Sequence, residues 1–308
     1  MNRKLILDKS GDSKVHAWDD LVAHGLAAAI FRAGEGLYTT DNYRPCCEQA
    51  LSTHTPFSLY YAIHPWYKAP AQIERFLAMV KGFSAMSLML DFELHDSISP
   101  AQIEDHYLGA YQYLENRTDK PIILYSGEWF IDGYCQAMRG WIGEEVYMDA
   151  NYYMAPFNPQ SWDQFAAQLA GQHMPAYHGI RVDIHQFAGD KVLPNLTGMQ
   201  QIDYSYADDP QVFSYLWEGG PRPDCLSAPV VPPINPAITA NYVVANPLPG
   251  GKGTVIQAEP NWKAKGLLTV VNGTALLVDS TWLNLAWVKV LDPVLGYCAK
   301  NRVKQVAP

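Results

Sequence analysis

Two acids two residues apart, Asp91 and Glu93, close an apolar run that reads Ser-Leu-Met-Leu-Asp-Phe-Glu-Leu from Ser87 to Leu94. On a β-strand alternate side chains share a face, about 6.5 to 7 Å apart along the backbone, so both carboxyls would aim into one pocket. Such a pair suits cleavage of a glycosidic bond: one carboxyl, kept protonated, donates to the leaving oxygen, and an ionised partner attacks or stabilises the developing cation. Crowding supplies the difference in protonation, because two acids in a partly dry site cannot both ionise cheaply. An acid pair at a strand end also serves to cap a helix or bind an arginine, so the elements around it decide the reading.

Those elements alternate. Within Met1 to Ser10 the run Lys-Leu-Ile-Leu reads as a strand ending at Asp8, and a helical stretch follows around Trp18 to Ala23. Further strands are expected over Ala27 to Phe31, before Arg32, over Phe57 to Ile63, on the run carrying Asp91 and Glu93, over Pro121 to Tyr125, and over Val146 to Ala150, before Asn151. Helices fall between them at Ala71 to Lys81 and Pro100 to Asn116, the second with Ser99 as N-cap and proline in its first turn. Strands alternating with helices predict an α/β fold with a largely parallel sheet, and their number predicts a barrel of the TIM-like β/α kind. The site of such a barrel lies at the C-terminal strand ends, where Asp8, Asp91, Glu93, Tyr125 and Asn151 fall.

Taken in order, Leu-Asp8-Lys-Ser, Phe31-Arg-Ala-Gly-Glu-Gly, Asp41-Asn-Tyr, Leu59-Tyr-Tyr-Ala, Leu90-Asp-Phe-Glu, Ile122-Ile-Leu-Tyr-Ser, Asp149-Ala-Asn-Tyr, Ile184-His-Gln-Phe and Ile202-Asp-Tyr-Ser-Tyr resemble glycoside hydrolase family 25. The resemblance runs from about Lys4 to Phe213 and rests on the series, since each motif is weak alone. It implies a β/α barrel with irregular closing strands and a muramidase (lysozyme) activity on the N-acetylmuramic acid to N-acetylglucosamine bond of peptidoglycan. It also implies catalytic acids at Asp8, Asp91, Glu93 and Asp203, with Glu93 as proton donor and Asp91 steering an intermediate in which the sugar's own acetamido group attacks. Tyr60, Tyr125, Asn151 and Gln186 match groove-lining positions, and Arg32 joins them as a substrate-binding candidate. The chain departs from the family pattern at Lys9, at Tyr61-Ala62 and at His185, which puts fine specificity in question.

Other constellations compete less well. Asp91, Glu93 and His95 alternate and could ligate a metal, but no His-Glu-x-x-His or paired Cys-x-x-Cys accompanies them, so neither a metal nor any other cofactor is expected. His173, His178 and His185 read as loop or groove histidines, and Glu35 and Glu128 as salt-bridged or binding acids rather than catalytic ones. A barrel that binds peptidoglycan without cutting it, or a hydrolase of another glycan such as chitin, are the rival readings. Retention of all four acids speaks against the first, and absence of Asp-x-x-Asp-x-Asp-x-Glu around Glu93 against the second.

The chain has 308 residues, 48% of them hydrophobic, and a net charge of −9, which disfavours nucleic acid as a partner. No long apolar stretch crosses a membrane and no signal peptide is read at the N-terminus, so synthesis in the cytoplasm and later action on the cell wall, as for a phage endolysin, are expected. Five irregularly spaced cysteines, Cys46, Cys47, Cys135, Cys225 and Cys298, predict free thiols. The expected organisation is a catalytic barrel over 1–217, a proline-rich linker over 218–240, and a small all-β barrel over 241–308. In the last part short β runs are punctuated by turns such as Asn272-Gly273, a hairpin signal. Its ending, Leu-Asn-Leu-Ala-Trp287-Val-Lys-Val, resembles a bacterial Src-homology-3-like wall-binding domain. Seven basic residues there (Lys252, Lys263, Lys265, Lys289, Lys300, Arg302 and Lys304) against Glu259, Asp279 and Asp292 could hold an acidic catalytic part at an anionic wall or simply solvate a surface. Trp262, Trp282 and Tyr297 could stack on glycan or fill the core.

Overall fold

The computed structural model describes residues 3–11, 14–95, 98–152, 157–223 and 226, and the backbone of seven strands between 242 and 305. The chain divides into two compact units, Met1–Val230 and Val231–Pro308.

Eight strands of the first unit close into a barrel: β1 (Lys4–Lys9), β2 (Leu26–Glu35), β4 (Phe57–Ala62), β5 (Ser87–Asp91), β6 (Ile122–Ser126), β7 (Val146–Ala150), β8 (Ile184–Leu193) and β9 (Gly198–Ala207). Around the barrel the order is β1, β2, β4, β5, β6, β7, β8, β9 and back to β1, while β3 (Thr39–Thr40) pairs outside on β2. Neighbours from β1 to β8 run parallel, and the β8–β9 and β9–β1 pairs are antiparallel. The irregular closure is visible in the β8–β9 register, which shifts three times between Gln186 and Leu193.

Two apolar clusters follow from side-chain alternation. Along β5, Leu88 and Leu90, with Phe92 beyond the strand end, face the layer between barrel and helices, whereas Met89 points into the lumen beside Ile6, Ile30, Ile123, Met148 and Ile184. The strands read as almost continuous apolar runs because both faces are covered. Helices α1 (Trp18–Ala23), α2 (Arg44–Ser52), α3 (Ala69–Val80), α4 (Pro100–Glu115), α5 (Glu128–Tyr134) and α6 (Trp162–Ala170) follow strands and flank the barrel. At the start of α4 the Gln102 side chain accepts from the Ser99 backbone N–H (3.2 Å) and hydroxyl (2.8 Å).

The lumen is plugged at its N-terminal end by α7 (Pro210–Trp217), whose start is capped by Asp209 accepting from Gln211 N at 2.8 Å. Val212, Phe213, Leu216 and Trp217 join the lumen cluster, and the Trp217 indole donates to Ser58 Oγ (2.8 Å), itself 2.5 Å from Ser87 Oγ. Beyond α7, Arg222 pairs with Glu145 at 3.0 Å and Leu226 is buried in the same cluster.

Cys46, Cys47 and Cys135 are buried and carry no disulfide, and burial pushes the Cys47 and Cys135 thiols up to about 12. No helix among the described residues is long and apolar enough to cross a membrane.

The second unit contributes β10 (Tyr242–Val244), β11 (Thr254–Gln257), β12 (Gly266–Val270), β13 (Ala275–Leu283), β14 (Trp287–Asp292), β15 (Gly296–Ala299) and β16 (Val303–Gln305), joined by antiparallel pairings. The Src-homology-3-like resemblance and the stacking considered for Trp262, Trp282 and Tyr297 concern loops and side chains outside the described residues.

Candidate active site

The parity that fills the lower lumen with Ile6, Ile30, Met89 and Ile123 puts polar side chains at its C-terminal mouth. Asp8 follows Ile6 on β1, Arg32 follows Ile30 on β2, Asp91 follows Met89 on β5 and Tyr125 follows Ile123 on β6. Tyr60 of β4 is the register partner of Arg32, and Gln186 of β8 meets the Tyr125 hydroxyl. Asp203 on β9 is the direct register partner of Asp8.

Glu93 lies two residues past Asp91, the last residue of β5, not within the strand as the sequence suggests. Its neighbours are nevertheless pinned. Phe92 N donates to Tyr125 O at 2.9 Å, and Ser126 Oγ donates to Phe92 O at 2.7 Å. On the other side the Tyr107 hydroxyl accepts from Leu94 N at 2.9 Å and donates to Leu94 O. That clamp ends the alternation, so His95 stacks on Tyr134 of α5 (centroids 3.8 Å, planes 6° apart) and does not form a ligand set with Asp91 and Glu93.

The four acids feel one another. Burial holds Asp8 well above the usual carboxylate range, with Asp203 and Glu93 adding to the rise and Arg32 and the Lys9 backbone N–H opposing it. Burial raises Asp91 likewise, reinforced by Glu93 and Asp8 and opposed by Arg32. Glu93 is pushed up to about 7 by burial, with a Tyr125 hydrogen bond lowering it and Asp203 raising it. Asp203 rises to about 6 through burial, against a hydrogen bond from Asp190 N. Lys9, the departure beside Asp8, turns its ammonium to Ser10 O at 2.8 Å, and its charge bears on Asp203.

A polar chain joins the groove candidates. Tyr125 donates to Gln186 Oε1 at 2.8 Å, and Gln186 Nε2 donates to Asp8 Oδ2 at 3.3 Å. Asp8 Oδ1 is buried without a hydrogen-bond partner, an open acceptor at the base of the mouth. Arg32 is gripped by Asp41 (2.5 Å) and lies 3.5 Å from Glu35, which in turn meets His64 Nε2 at 2.9 Å. Asn151 donates its amide to Glu128 Oε2 at 3.3 Å, and its backbone N–H donates to Gln186 O at 3.1 Å.

Two neighbouring residues correct the sequence reading, and a third group lies close by. Tyr152, passed over, donates to Gln186 Oε1 at 2.6 Å and interacts electrostatically with Asp203, Glu93 and Asp8. Its adjacency to Asn151 was a usable signal. His185 is no groove histidine: it is fully buried, hydrogen-bonds Asn151 O at 2.8 Å, and burial lowers its pKa. Glu128, Asp132 and His178 converge within 4.8 Å, yet Asp132 is already engaged by Arg139 and the Tyr177 hydroxyl.

A barrel mouth holding three lumen-facing aspartates, a glutamate held near neutrality and one clamped arginine coincides with a match to the family model for glycosyl hydrolases family 25 over residues 8–178. The chain belongs to glycosyl hydrolases family 25. As a family 25 chain it is a glycoside hydrolase, and the barrel mouth is its candidate active site. Similar solved structures include a family 25 glycosyl hydrolase from Bacillus anthracis, 16% identical with a TM-score of 0.52 over 69% of this chain and 93% of that one. A lysozyme from Streptomyces coelicolor is 14% identical, with a TM-score of 0.53 over 69% and 96% of the two chains. A family 25 lysozyme from Aspergillus fumigatus is 14% identical, with a TM-score of 0.52 over 70% and 99%. These likenesses are of fold. No curated protein matches the chain.

Proposed function

We propose that the chain is a peptidoglycan muramidase that cuts the β-1,4 bond from N-acetylmuramic acid to N-acetylglucosamine, with Glu93 as general acid. The observation that carries this reading is a Glu93 carboxyl held at about 7 between two pinned backbone neighbours, which keeps a proton available at neutral pH. Glu93 gives that proton to the leaving glycosidic oxygen as the bond to the anomeric carbon breaks. Asp91 presents a carboxyl oxygen, in either protonation state, to orient the sugar's acetamido group for attack on that carbon. Asp203, ionised above about 6, offsets the positive charge that develops, and Asp8 and Gln186 fix the ring from below. Glu93, now a carboxylate, takes a proton from the water that resolves the intermediate, which restores the starting state.

Lysozymes from Streptomyces coelicolor and Aspergillus fumigatus, and the endolysin ply40 from a Listeria phage, share the fold and support this reading. A phage or prophage endolysin role fits it, with the basic C-terminal unit holding the enzyme at the wall. Mass spectrometry of purified peptidoglycan, digested with the wild-type protein and with Glu93→Gln, tests the assignment. New reducing ends on N-acetylmuramic acid that vanish in the variant are expected. No fragments from several wall types, with protein still pelleting on them, would turn the reading to binding without cleavage. Removal of 241–308 is expected to weaken sedimentation with sacculi and spare cleavage of soluble fragments.

A further inference from the structure

Exposed aromatic rings are unevenly placed on the first unit. Among the described residues the exposed large hydrophobic side chains are Tyr38, Leu51, Trp66, Trp129, Tyr152 and Met199, and all four aromatic ones follow the C-terminal ends of parallel strands, on the face that bears the acids. Scattered exposed apolar residues need no explanation, but aromatics confined to one functional face do. Tyr152 is tied to Gln186, and Trp129 lies across Gly127, where a Cβ would meet its indole nitrogen at 2.3 Å. Tyr38 and Trp66 belong to a larger group.

Trp66 and Tyr67 follow β4 and gather around His64, with ring centroids 4.3 Å and 5.6 Å from the imidazole, and Tyr38 meets Tyr67 edge-on at 5.7 Å. The group is rigidly held. Gln72, fully buried, accepts from His64 N (2.9 Å) and donates to His64 O (2.9 Å) and Tyr67 O (3.1 Å). Gly36, at φ +56°, leaves room for the rings, since a Cβ there would come within 3.1 Å of both His64 and Tyr67. Trp66 stays 37% exposed and Tyr38 79%, so this packing leaves ring surface facing solvent.

We propose that Tyr38, Trp66 and Tyr67 form a glycan-holding shelf that grips the polymer beyond the two sugars at the cleaved bond. The inference rests on the muramidase reading. Its occupant follows from continuity with the acids: His64 meets Glu35, Glu35 meets Arg32, and Arg32 acts on Asp8 and Asp91. Topology agrees. The acids of β5 and of the β1–β9 pair stand across the mouth from each other, with β2 and β4 between them on one side. A strand of sugars threaded between those acids leaves the barrel over β2 and β4, past the shelf. The apolar C–H faces of pyranose rings match flat aromatic faces, and a pre-ordered shelf binds at low entropic cost.

The test uses the full-length protein with Trp66→Ala and Trp66→Phe, assayed on long glycan strands and on a peptidoglycan tetrasaccharide. The ratio of kcat/KM for polymer to that for tetrasaccharide is expected to fall about tenfold in Trp66→Ala, as for loss of an aromatic anchor, with recovery in Trp66→Phe. An unchanged ratio, or equal losses on both substrates, overturns the shelf. Binding of peptide-free glycan strands to Glu93→Gln and to the Glu93→Gln, Trp66→Ala double variant, measured by calorimetry, separates this from failure of the muramidase reading. Even if the wild-type protein cuts no wall, about tenfold weaker binding by the double variant supports the shelf, and equal binding overturns it.

Discussion

Asp8 and Asp203 are direct partners in the antiparallel register of β1 and β9, and each sits at a lumen-facing position at the barrel mouth. Placing two carboxyls opposite each other in a ladder is unfavourable, since like charges on facing positions repel. Burial raises both carboxyls, so the pair takes on its two charges at higher pH than two exposed aspartates would. Glu93 is lifted chiefly by burial, with Asp203 across the mouth adding to the rise.

Loss of the acid is the first expectation. Glu93→Gln keeps the shape of the side chain and removes the transferable proton, so kcat/KM on soluble peptidoglycan fragments should fall about a hundred- to ten-thousand-fold. Near-wild-type turnover in that variant would sink the assignment of Glu93.

The rate should also depend on pH in a way that follows from two groups. Glu93 donates only while protonated, so above its value of about 7 activity should drop about tenfold per pH unit. Below about 6 protonation of Asp203 removes the negative charge facing the cation, and activity should decline again. A plot of kcat/KM against pH that stays flat across this window would contradict both roles.

Tyr125→Phe removes the hydroxyl whose hydrogen bond lowers Glu93 and which lies 2.8 Å from Gln186 Oε1. With that lowering contribution gone the Glu93 carboxyl rises, so the alkaline limb should move to higher pH while kcat falls. A limb displaced to lower pH would show that the hydroxyl acts differently.

The same acids should cost stability at high pH. A carboxyl raised on folding binds its proton more tightly in the native state, so its contribution is fully favourable below its unfolded value and is lost as pH rises through the folded value. For Glu93 that window runs upward to about 7. Replacing it with glutamine should therefore stabilise the protein at about pH 8, by about 1 to 3 kcal/mol, and hardly at all at about pH 4. Urea unfolding at the two pH values measures this, and a larger gain in acid would reverse the sign and refute it.

At the opposite end of the barrel Trp217 fills the lumen and donates to Ser58 Oγ at 2.8 Å. Trp217→Ala should cost about 3 to 5 kcal/mol, from lost burial, a cavity and an unpaired hydroxyl. A midpoint of unfolding close to wild type would mean that α7 is not a needed plug.

Much of the barrel is legible along the chain because its parallel strands are apolar on both faces and short enough to stand out between helical patterns. The run at Val146–Ala150 and the helix at Trp18–Ala23 fall where the residues place them, and Ser99 opens α4 as its type suggests. The hairpin of β8 and β9 is harder to read. Its register shifts at Gln186, Ala188 and Lys191 break strict alternation, and the motifs around His185 and Tyr204 point to it better than any periodicity does.

What the sequence determined by itself was the inventory and the parity. Asp8, Arg32, Tyr60, Asp91 and Tyr125 each stand near the end of an apolar run, and alternation along a strand decides which side of the sheet such a residue faces. Tertiary structure alone decided their neighbours. Closure of the barrel through β9 sets Asp203 against Asp8, the Tyr107 clamp on Leu94 turns His95 away and leaves Glu93 in the mouth, and Gln72 stitches the loop that carries Trp66. Those pairings join residues from 8 positions apart, His64 and Gln72, to 195 apart, Asp8 and Asp203, and alternation along a single strand specifies none of them.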